Sequence, residues 1–310
     1  MSDLDFEAVV VTYNSAGDIR PCLSSLQNAC SRVVVIDNAS RDDTVNIVNQ
    51  EFPKVEIIPA ERNLGYGEAL NLGIARTASP FVVAANADTI FPAGSLQALE
   101  RFLKAHPKVG VLGSQELFPD GSWQRSYGAI PGLYEAAQTL LGVTSLIYLA
   151  DRISWRYLSP RGAKRVGYVD GAVMMIRRAA FDAIGGFDHK FHFYCEDADF
   201  CLRLAHAGWE VVSMPSVSVI HARGGSSTKA EGYSDRLLRS LASAQRQLIK
   251  KHNPGWHLPL HRQLCILHAR KMSLIYRLLR VLRLAPYEPR ASMPALAFER
   301  WGHIWAELSD

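Results

Sequence analysis

Uninterrupted apolar runs alternate with stretches of helical period through the first third of the chain. FEAVVVTY at 6–13, VVVI at 33–36, VEIIP at 55–59 and FVVAA at 81–85 are short, rich in β-branched residues and bounded by polar positions. Between them, residues 18–29, 43–51 and 66–77 predict helices. Strands with no polar alternation are buried on both faces, so the pattern predicts an α/β fold with a Rossmann-like, mostly parallel sheet flanked by helices. From Val109 the rhythm changes. VGVLGSQ predicts a strand, PDG at 119–121 a turn, 134–151 a helix and VGYVDGAVMMIRR a second strand, followed by a short helix at 179–184 and a GGFD loop. After the strand pattern VSVIHA, the Gly- and Ser-rich ARGGSSTKAEGYS reads as a mobile loop. The expected domains are a catalytic one at 1–233, with a nucleotide-binding half to about 114 and an acceptor half beyond it, and a helical module at 234–310.

Length and charge refine this picture. A chain of 310 residues can bury a sizeable core. The net charge of +4 is unevenly spread: no acidic residue lies between Asp235 and Glu288, whereas Arg236, Arg239, Arg246, Lys250, Lys251, Arg262, Arg270, Lys271, Arg277, Arg280 and Arg283 are basic. A module of this kind suits phosphate or an anionic membrane surface, and nothing points to nucleic acid. In RKMSLIYRLLRVLRL, Leu274, Leu278, Val281 and Leu282 share a helical stripe, with Arg277, Arg280 and Arg283 on other faces. The alternative is a stripe packed on the catalytic domain. Five cysteines without metal spacing fit a reducing cytoplasm. The acidic start MSDLDFEAVV lacks the features of a signal peptide, and 139–150, the least charged stretch, is too short to span a bilayer. The expectation is a cytoplasmic protein that touches a membrane without crossing it.

The apolar strands end in polar residues, in VVVTYN, VVVIDN and VVAANAD. In an open parallel sheet, ligands bind at the carboxyl ends of the strands, so Asn14, Asp37 and Asp88 are expected in one crevice. The first strand-to-helix turn, YNSAGD, is not the GxGxxG of dinucleotide-binding enzymes, and no GxxxxGK[ST] P-loop occurs.

Seven segments in order, VVVTYNS, VVVIDNASRDDT, RNLGYGEALNLG, ANADT, GYVDGAVMMIRRAAFDAIGGFD, EDADFCLR and VIHARGGSST, resemble the family 2 glycosyltransferases of the GT-A fold. Among these the chain is most similar to bacterial rhamnosyltransferases of cell-wall and surface glycan synthesis. The resemblance implies a nucleotide-sugar donor carrying dTDP or UDP, held by Thr12, Tyr13, Asn14, Asp37, Asn63, Gly65, Asn71, Asn86, Ala87, Asp88, Asp170 and Arg203. Thr12 and Asp37 fall at the base, and a carboxylate can accept the imide N–H of uracil or thymine. As residues alone, Asp37 serves equally as a turn cap, Asn71 as part of a helix start and Asp170 as a turn former. ANADT occupies the place of the DXD metal motif. Asp88 is then a ligand for Mg²⁺ or Mn²⁺, with Asn86 standing where a carboxylate is common and His221 as a second ligand.

A helix starting near Glu196 places Asp197, Cys201 and Leu204 on one face, and Asp199 with Arg203 as an exposed i, i+4 pair elsewhere. The helix dipole would lower the pKa of Asp197, whereas Phe191, Phe193 and Tyr194 would raise it by desolvation. The resemblance makes Asp197 the general base that deprotonates the acceptor hydroxyl. Trp123, Tyr127 and Trp155 are either sugar-stacking residues or core.

The expected enzyme is inverting and metal-dependent, moving L-rhamnose from dTDP-L-rhamnose to a glycan or polyprenyl-diphosphate-linked acceptor. It carries no QxxRW motif of processive relatives. A homodimer is allowed. The alternatives are a UDP-sugar donor, a nucleotidyltransferase, which would need a basic Gly-rich loop in place of YNSAGD, and a glycan-binding module that has lost catalysis.

Overall fold

A computed structural model describes residues 5–27, 29–158, 162–222, 234–281 and 295–308. The loop expected at 222–234 lies almost wholly outside them, as do Leu282 and Arg283. In chain order the elements are β1 (Phe6–Thr12), α1 (Ile19–Leu26), β2 (Val33–Asp37), α2 (Thr44–Glu51), β3 (Glu56–Pro59), α3 (Tyr66–Ile74), β4 (Phe81–Asn86), β5 (Thr89–Ile90), α4 (Ser95–Ala105), β6 (Val109–Leu117) and β7 (Tyr127–Gly128). They continue with α5 (Leu133–Leu141), α6 (Val143–Leu158), β8 (Lys164–Arg165), β9 (Tyr168–Val169), β10 (Val173–Arg177), α7 (Arg178–Ile184), α8 (Glu196–His206), β11 (Glu210–His221), α9 (Asp235–His252), α10 (His257–Val281) and α11 (Ala295–Glu307).

The main sheet runs β3-β2-β1-β4-β10-β6-β11-β5, with β8 added on β11. β3, β2, β1 and β4 are parallel; β10 is antiparallel to β4 and β6, and β11 is parallel to β6. Each face has its own core. Phe6, Ala8 and Val10 of β1 pack in one apolar cluster while Val9 and Val11 pack in the other, which is why that strand reads as unbroken hydrophobe. The predicted single strand at 166–178 is two, β9 and β10, separated by the turn at Asp170–Gly171. The predicted helix at 134–151 is likewise two, parted at Gly142, whose φ of 81° is accessible to glycine.

Two compact units result. One comprises Met1–Ile130, Asp151–His192 and Glu196–Ala230, and contains the whole sheet; the other comprises Pro131–Ala150, Phe193–Cys195 and Glu231–Asp310. Pro131–Ala150, expected in the catalytic domain, thus belongs to the second unit. There α5 packs on α10, and Leu238, Ala242, Ile249, Leu258, Ala297, Ile304 and Trp305 form the core. Among the described residues no helix is long and apolar enough to cross a membrane.

Candidate active site

The register of β1 and β2 pairs Thr12 with Asp37 at the carboxyl ends of the strands. Both are buried, and Thr12 Oγ1 and Asp37 Oδ1 have no hydrogen-bond partner. Asp37 Oδ2 meanwhile accepts from Ser40 N at 3.0 Å, so the turn-cap role and a free acceptor coexist in one carboxylate. Half-buried Tyr13 follows. Asn14 has φ 50°, and its side chain accepts from Arg41 N at 2.8 Å, tying the β1 loop to the β2 loop.

The next loop is held by an asparagine not singled out in the sequence. Asn38 Nδ2 donates to Gly65 O and its Oδ1 accepts from Leu64 N, both at 3.1 Å. Asn63 Oδ1 accepts from Gly65 N at 2.9 Å. Gly65 has φ 81°, and a Cβ there would lie 2.4 Å from His192 O, so the position admits only glycine. Asn71 is a structural staple: its amide accepts from Phe187 N and donates to Phe187 O, each at 2.8 Å, fixing the GGFD loop.

Asn86 ends β4 with its N–H on Ala172 O at 3.0 Å, and Ala87, which is buried, makes the turn into β5 with Asp88. Two residues of β5 suffice to pair Thr89 with His221 of β11. That pairing brings His221 Nε2 within 3.4 Å of Asp88 Oδ1. The other ring nitrogen lies 2.7 Å from Glu116 Oε2. Burial acts to lower the imidazole pKa, but the hydrogen bonds with Asp88 and Glu116 outweigh it and hold His221 up to about 10. With a cation in place of the proton on Nε2, an imidazole nitrogen and a carboxylate oxygen side by side, with the second ring nitrogen oriented by a buried acid, fit a divalent metal ion. Glu116 was missed in the sequence, where it is one acid at the end of an apolar strand. Among the described residues no three His, Cys, Asp or Glu side chains form a ligand cluster.

Helix α8 begins at Glu196 as the spacing predicts, and Cys201 and Leu204 are fully buried. Asp197 Oδ1 accepts from Ala198 N at 2.7 Å and Oδ2 from Gly171 N at 3.2 Å, so the β9–β10 turn cradles it. Asp170 is the first residue of that turn, with Oδ1 accepting from Ala172 N. Dehydration, then the charge of Asp170, push the Asp197 carboxyl up to about 7 against the pull of those backbone N–H groups. Phe193, expected to shield it, is exposed. Glu196 is raised further by burial and by Asp197, and its Oε2 is buried without a partner. Tyr66, also missed in the sequence, donates to Gly171 O and has its phenol raised by burial and by the charges of Glu196, Asp170, Asp197 and Asp88. These four acids therefore gather around the Tyr66 phenol.

A further expectation is corrected. Asp199 is fully buried, not exposed; Arg203 Nε meets its Oδ2 at 2.7 Å and Arg203 Nη1 donates to Ile184 O at 3.0 Å. The pair fixes α8 against the end of α7. Donor contact by Arg203 would have to use Nη2, which is buried and without a partner.

A mostly parallel sheet with acids at the carboxyl ends of β2, β4 and β9 is the architecture of GT-A glycosyltransferases. The mannosyltransferase PcManGT of Pyrobaculum calidifontis, solved with GDP-Man and Mn²⁺, aligns over 97% of this chain and 84% of its own with a TM-score of 0.58 at 19% identity. GalNAc-T7 with UDP, GalNAc and Mn²⁺ aligns over 99% of this chain and 57% of its own, also at 0.58, with 12% identity. Residues 7–185 match Glycosyl transferase family 2, and 165–223 match the N-terminal domain of galactosyltransferase. The N-acetylglucosaminyl-diphospho-decaprenol L-rhamnosyltransferase of Mycobacterium tuberculosis is 31% identical over 81% of this chain and 86% of its own. The O-antigen chain rhamnosyltransferase WbaN of Salmonella anatum is 28% identical over 70% of this chain and 66% of its own. The chain belongs to glycosyltransferase family 2, and it is a glycosyltransferase.

Proposed function

We propose that the enzyme is an inverting, non-processive rhamnosyltransferase that moves L-rhamnose from dTDP-L-rhamnose to an N-acetylglucosaminyl diphosphate carried on a polyprenol. The observation that supports this reading most is Asp197, a carboxylate poised near neutral pH whose charge, like that of Asp88, acts on the Tyr66 phenol. A general base is most effective when its pKa lies close to the working pH. The Mycobacterium tuberculosis relative supplies the donor sugar and the acceptor.

Thr12 and Asp37 anchor the base, with the free oxygen of Asp37 accepting the imide N–H of thymine. Asn63 and Asn38 hold the Gly65 loop beside the diphosphate, where a side chain would intrude. Asp88 and His221 would hold Mg²⁺ or Mn²⁺, and a bound cation neutralises charge on a departing diphosphate. Asp197 takes the proton from the acceptor hydroxyl as its oxygen bonds to the anomeric carbon; the bond from that carbon to the nucleoside diphosphate breaks on the opposite face, inverting the centre. Burial, and after it the charge of Asp170, keep Asp197 basic enough to accept that proton. The unit that contains the sheet would be catalytic, and the unit of Pro131–Ala150, Phe193–Cys195 and Glu231–Asp310 would meet the membrane bearing the lipid acceptor.

Thermal stabilisation across a panel of nucleotide sugars tests the donor. A ligand at 100 times its Kd adds about 2.7 kcal/mol, so dTDP-L-rhamnose should stand out, followed by transfer to a short-chain N-acetylglucosaminyl diphosphate lipid. Stabilisation by a UDP-sugar alone would replace the donor, and absence of transfer from every nucleotide sugar would sink the reading.

A further inference from the structure

Trp123, Tyr127 and Trp155 are dispersed in the sequence, yet all three line one cavity of about 180 Å³ in the unit that holds the sheet. The cavity arises from an irregularity in β11. Met214 is in register with Ser114 of β6 and Ser218 with Gln115, so Pro215, Ser216 and Val217 have no partner on β6. Proline cannot donate to a ladder, and the strand bulges away beside Gln115. Pro215 and Gln115 form part of the wall. Gln115 Oε1 accepts from Trp123 Nε1 at 2.9 Å, which fixes that indole.

The polar end is built as firmly. Lys164 Nζ lies 2.7 Å from Asp151 Oδ1 and 4.0 Å from the centroid of the Tyr127 ring, and the Tyr127 hydroxyl donates to Asp151. Among the described residues of the lining, Asp151 and Lys164 carry charge, and they neutralise each other. On the described lining a phosphate or diphosphate would meet no net positive charge. A neutral polyol finds what it needs: aromatic faces for its C–H surfaces and fixed donors and acceptors for its hydroxyls. The volume of about 180 Å³ leaves room for one sugar ring.

The cavity wall is also linked to the candidate metal site by hydrogen bonds. Gln115 Nε2 donates to Gln124 O, and Gln124 Nε2 donates to His221 O at 2.8 Å, so the wall is tied to the strand end that carries His221. It lies among β6, β7, β8 and β11, beyond β4 and β10 from the base-anchoring ends of β1 and β2.

We propose that this cavity is a subsite for a neutral pyranose of the acceptor, with Trp155 and Trp123 as stacking walls and Asp151, Lys164 and Tyr127 as the hydrogen-bonding end. The assignment of the sugar to the acceptor rests on the glycosyl-transfer reading above. The test compares wild type, Trp155→Ala and Trp155→Tyr. With dTDP-L-rhamnose and the short-chain N-acetylglucosaminyl diphosphate lipid, Trp155→Ala should raise the acceptor KM about tenfold, the scale of one aromatic contact, and leave dTDP affinity unchanged. Trp155→Tyr should restore most of the loss. Independently of any transfer, saturation-transfer NMR with methyl glycosides of N-acetylglucosamine, glucose and galactose should show binding to wild type that Trp155→Ala weakens. A folded Trp155→Ala protein with wild-type KM, or no saturation transfer to any of these glycosides, would overturn the subsite. Absence of transfer by wild type combined with sugar binding lost in Trp155→Ala would instead remove the rhamnosyltransferase reading and keep the pocket.

Discussion

Thr12 and Asp37 face each other in register with one buried, unpartnered oxygen each. Leaving such a group unsatisfied costs about 1–3 kcal/mol, a cost a ligand donor can remove. Asp37→Ala should therefore weaken dTDP binding by roughly 10- to 150-fold, the equivalent of 1.5–3 kcal/mol for a bond to a charged acceptor, as read by calorimetry. An unchanged Kd would confine Asp37 to capping its own turn. Asp197 carries a second consequence. Its folded-state pKa of about 7 lies above the ordinary value of 3.8, so folding favours its proton. The associated stability is complete below about pH 4 and is lost as pH rises through about 7. Glu196, also raised, acts in the same direction. Asp197→Asn should flatten part of that decline, so the variant gains melting temperature on wild type at pH 8 and not at pH 4. Equal differences at both pH values would contradict a raised carboxyl.

At the scale of elements, β1, β2 and β4 were legible because both faces of each are buried, leaving no polar alternation to confuse strand with helix. The two-residue β5 gives no periodic signal, yet it places His221 beside Asp88. Nor could Glu116 be found, since its role depends on β6 and β11 being neighbours while it stands 105 residues from His221 in sequence. Its partnership leads to a metal prediction: EDTA should stop transfer, Mg²⁺ or Mn²⁺ should restore it, and Glu116→Gln should raise the metal requirement by about 10- to 100-fold. Full activity after exhaustive chelation would refute a metal role. In the second unit, the basic segment read from sequence is partly neutralised by α11, with Arg277 Nη2 2.6 Å from Glu299 Oε1 and Arg239 Nη2 2.7 Å from Glu307 Oε2. The apolar stripe is another matter. Trp256, Leu260, Leu267, Leu274 and Leu278 are all exposed, and so is basic Arg270. Cosedimentation with anionic vesicles should be salt-sensitive and should drop in Leu274→Gln/Leu278→Gln, whereas no binding at low salt would end the membrane assignment.

For the whole molecule, the sheet order carries function from one edge of the crevice to the other. In the proposed reading β1 and β2 would supply the base anchors and β4 and β11 the metal-compatible pair, and the β9–β10 turn cradles Asp197. The buried Asp199–Arg203 pair belongs to that scale, because it sets α8 and hence the position of Asp197. Removing one partner of a buried pair costs about 3–5 kcal/mol, so Asp199→Asn is a stability variant and not a neutral control for catalysis. The most direct measurement is single-turnover transfer by a folded Asp197→Asn enzyme alongside its affinity for dTDP-L-rhamnose. The amide has the shape of the carboxylate and cannot take the proton, so the rate should fall by about 10²- to 10⁴-fold with donor Kd almost unchanged. A near wild-type rate would contradict Asp197 as the base and turn attention to Glu196 and Asp170, the other acids of the crevice.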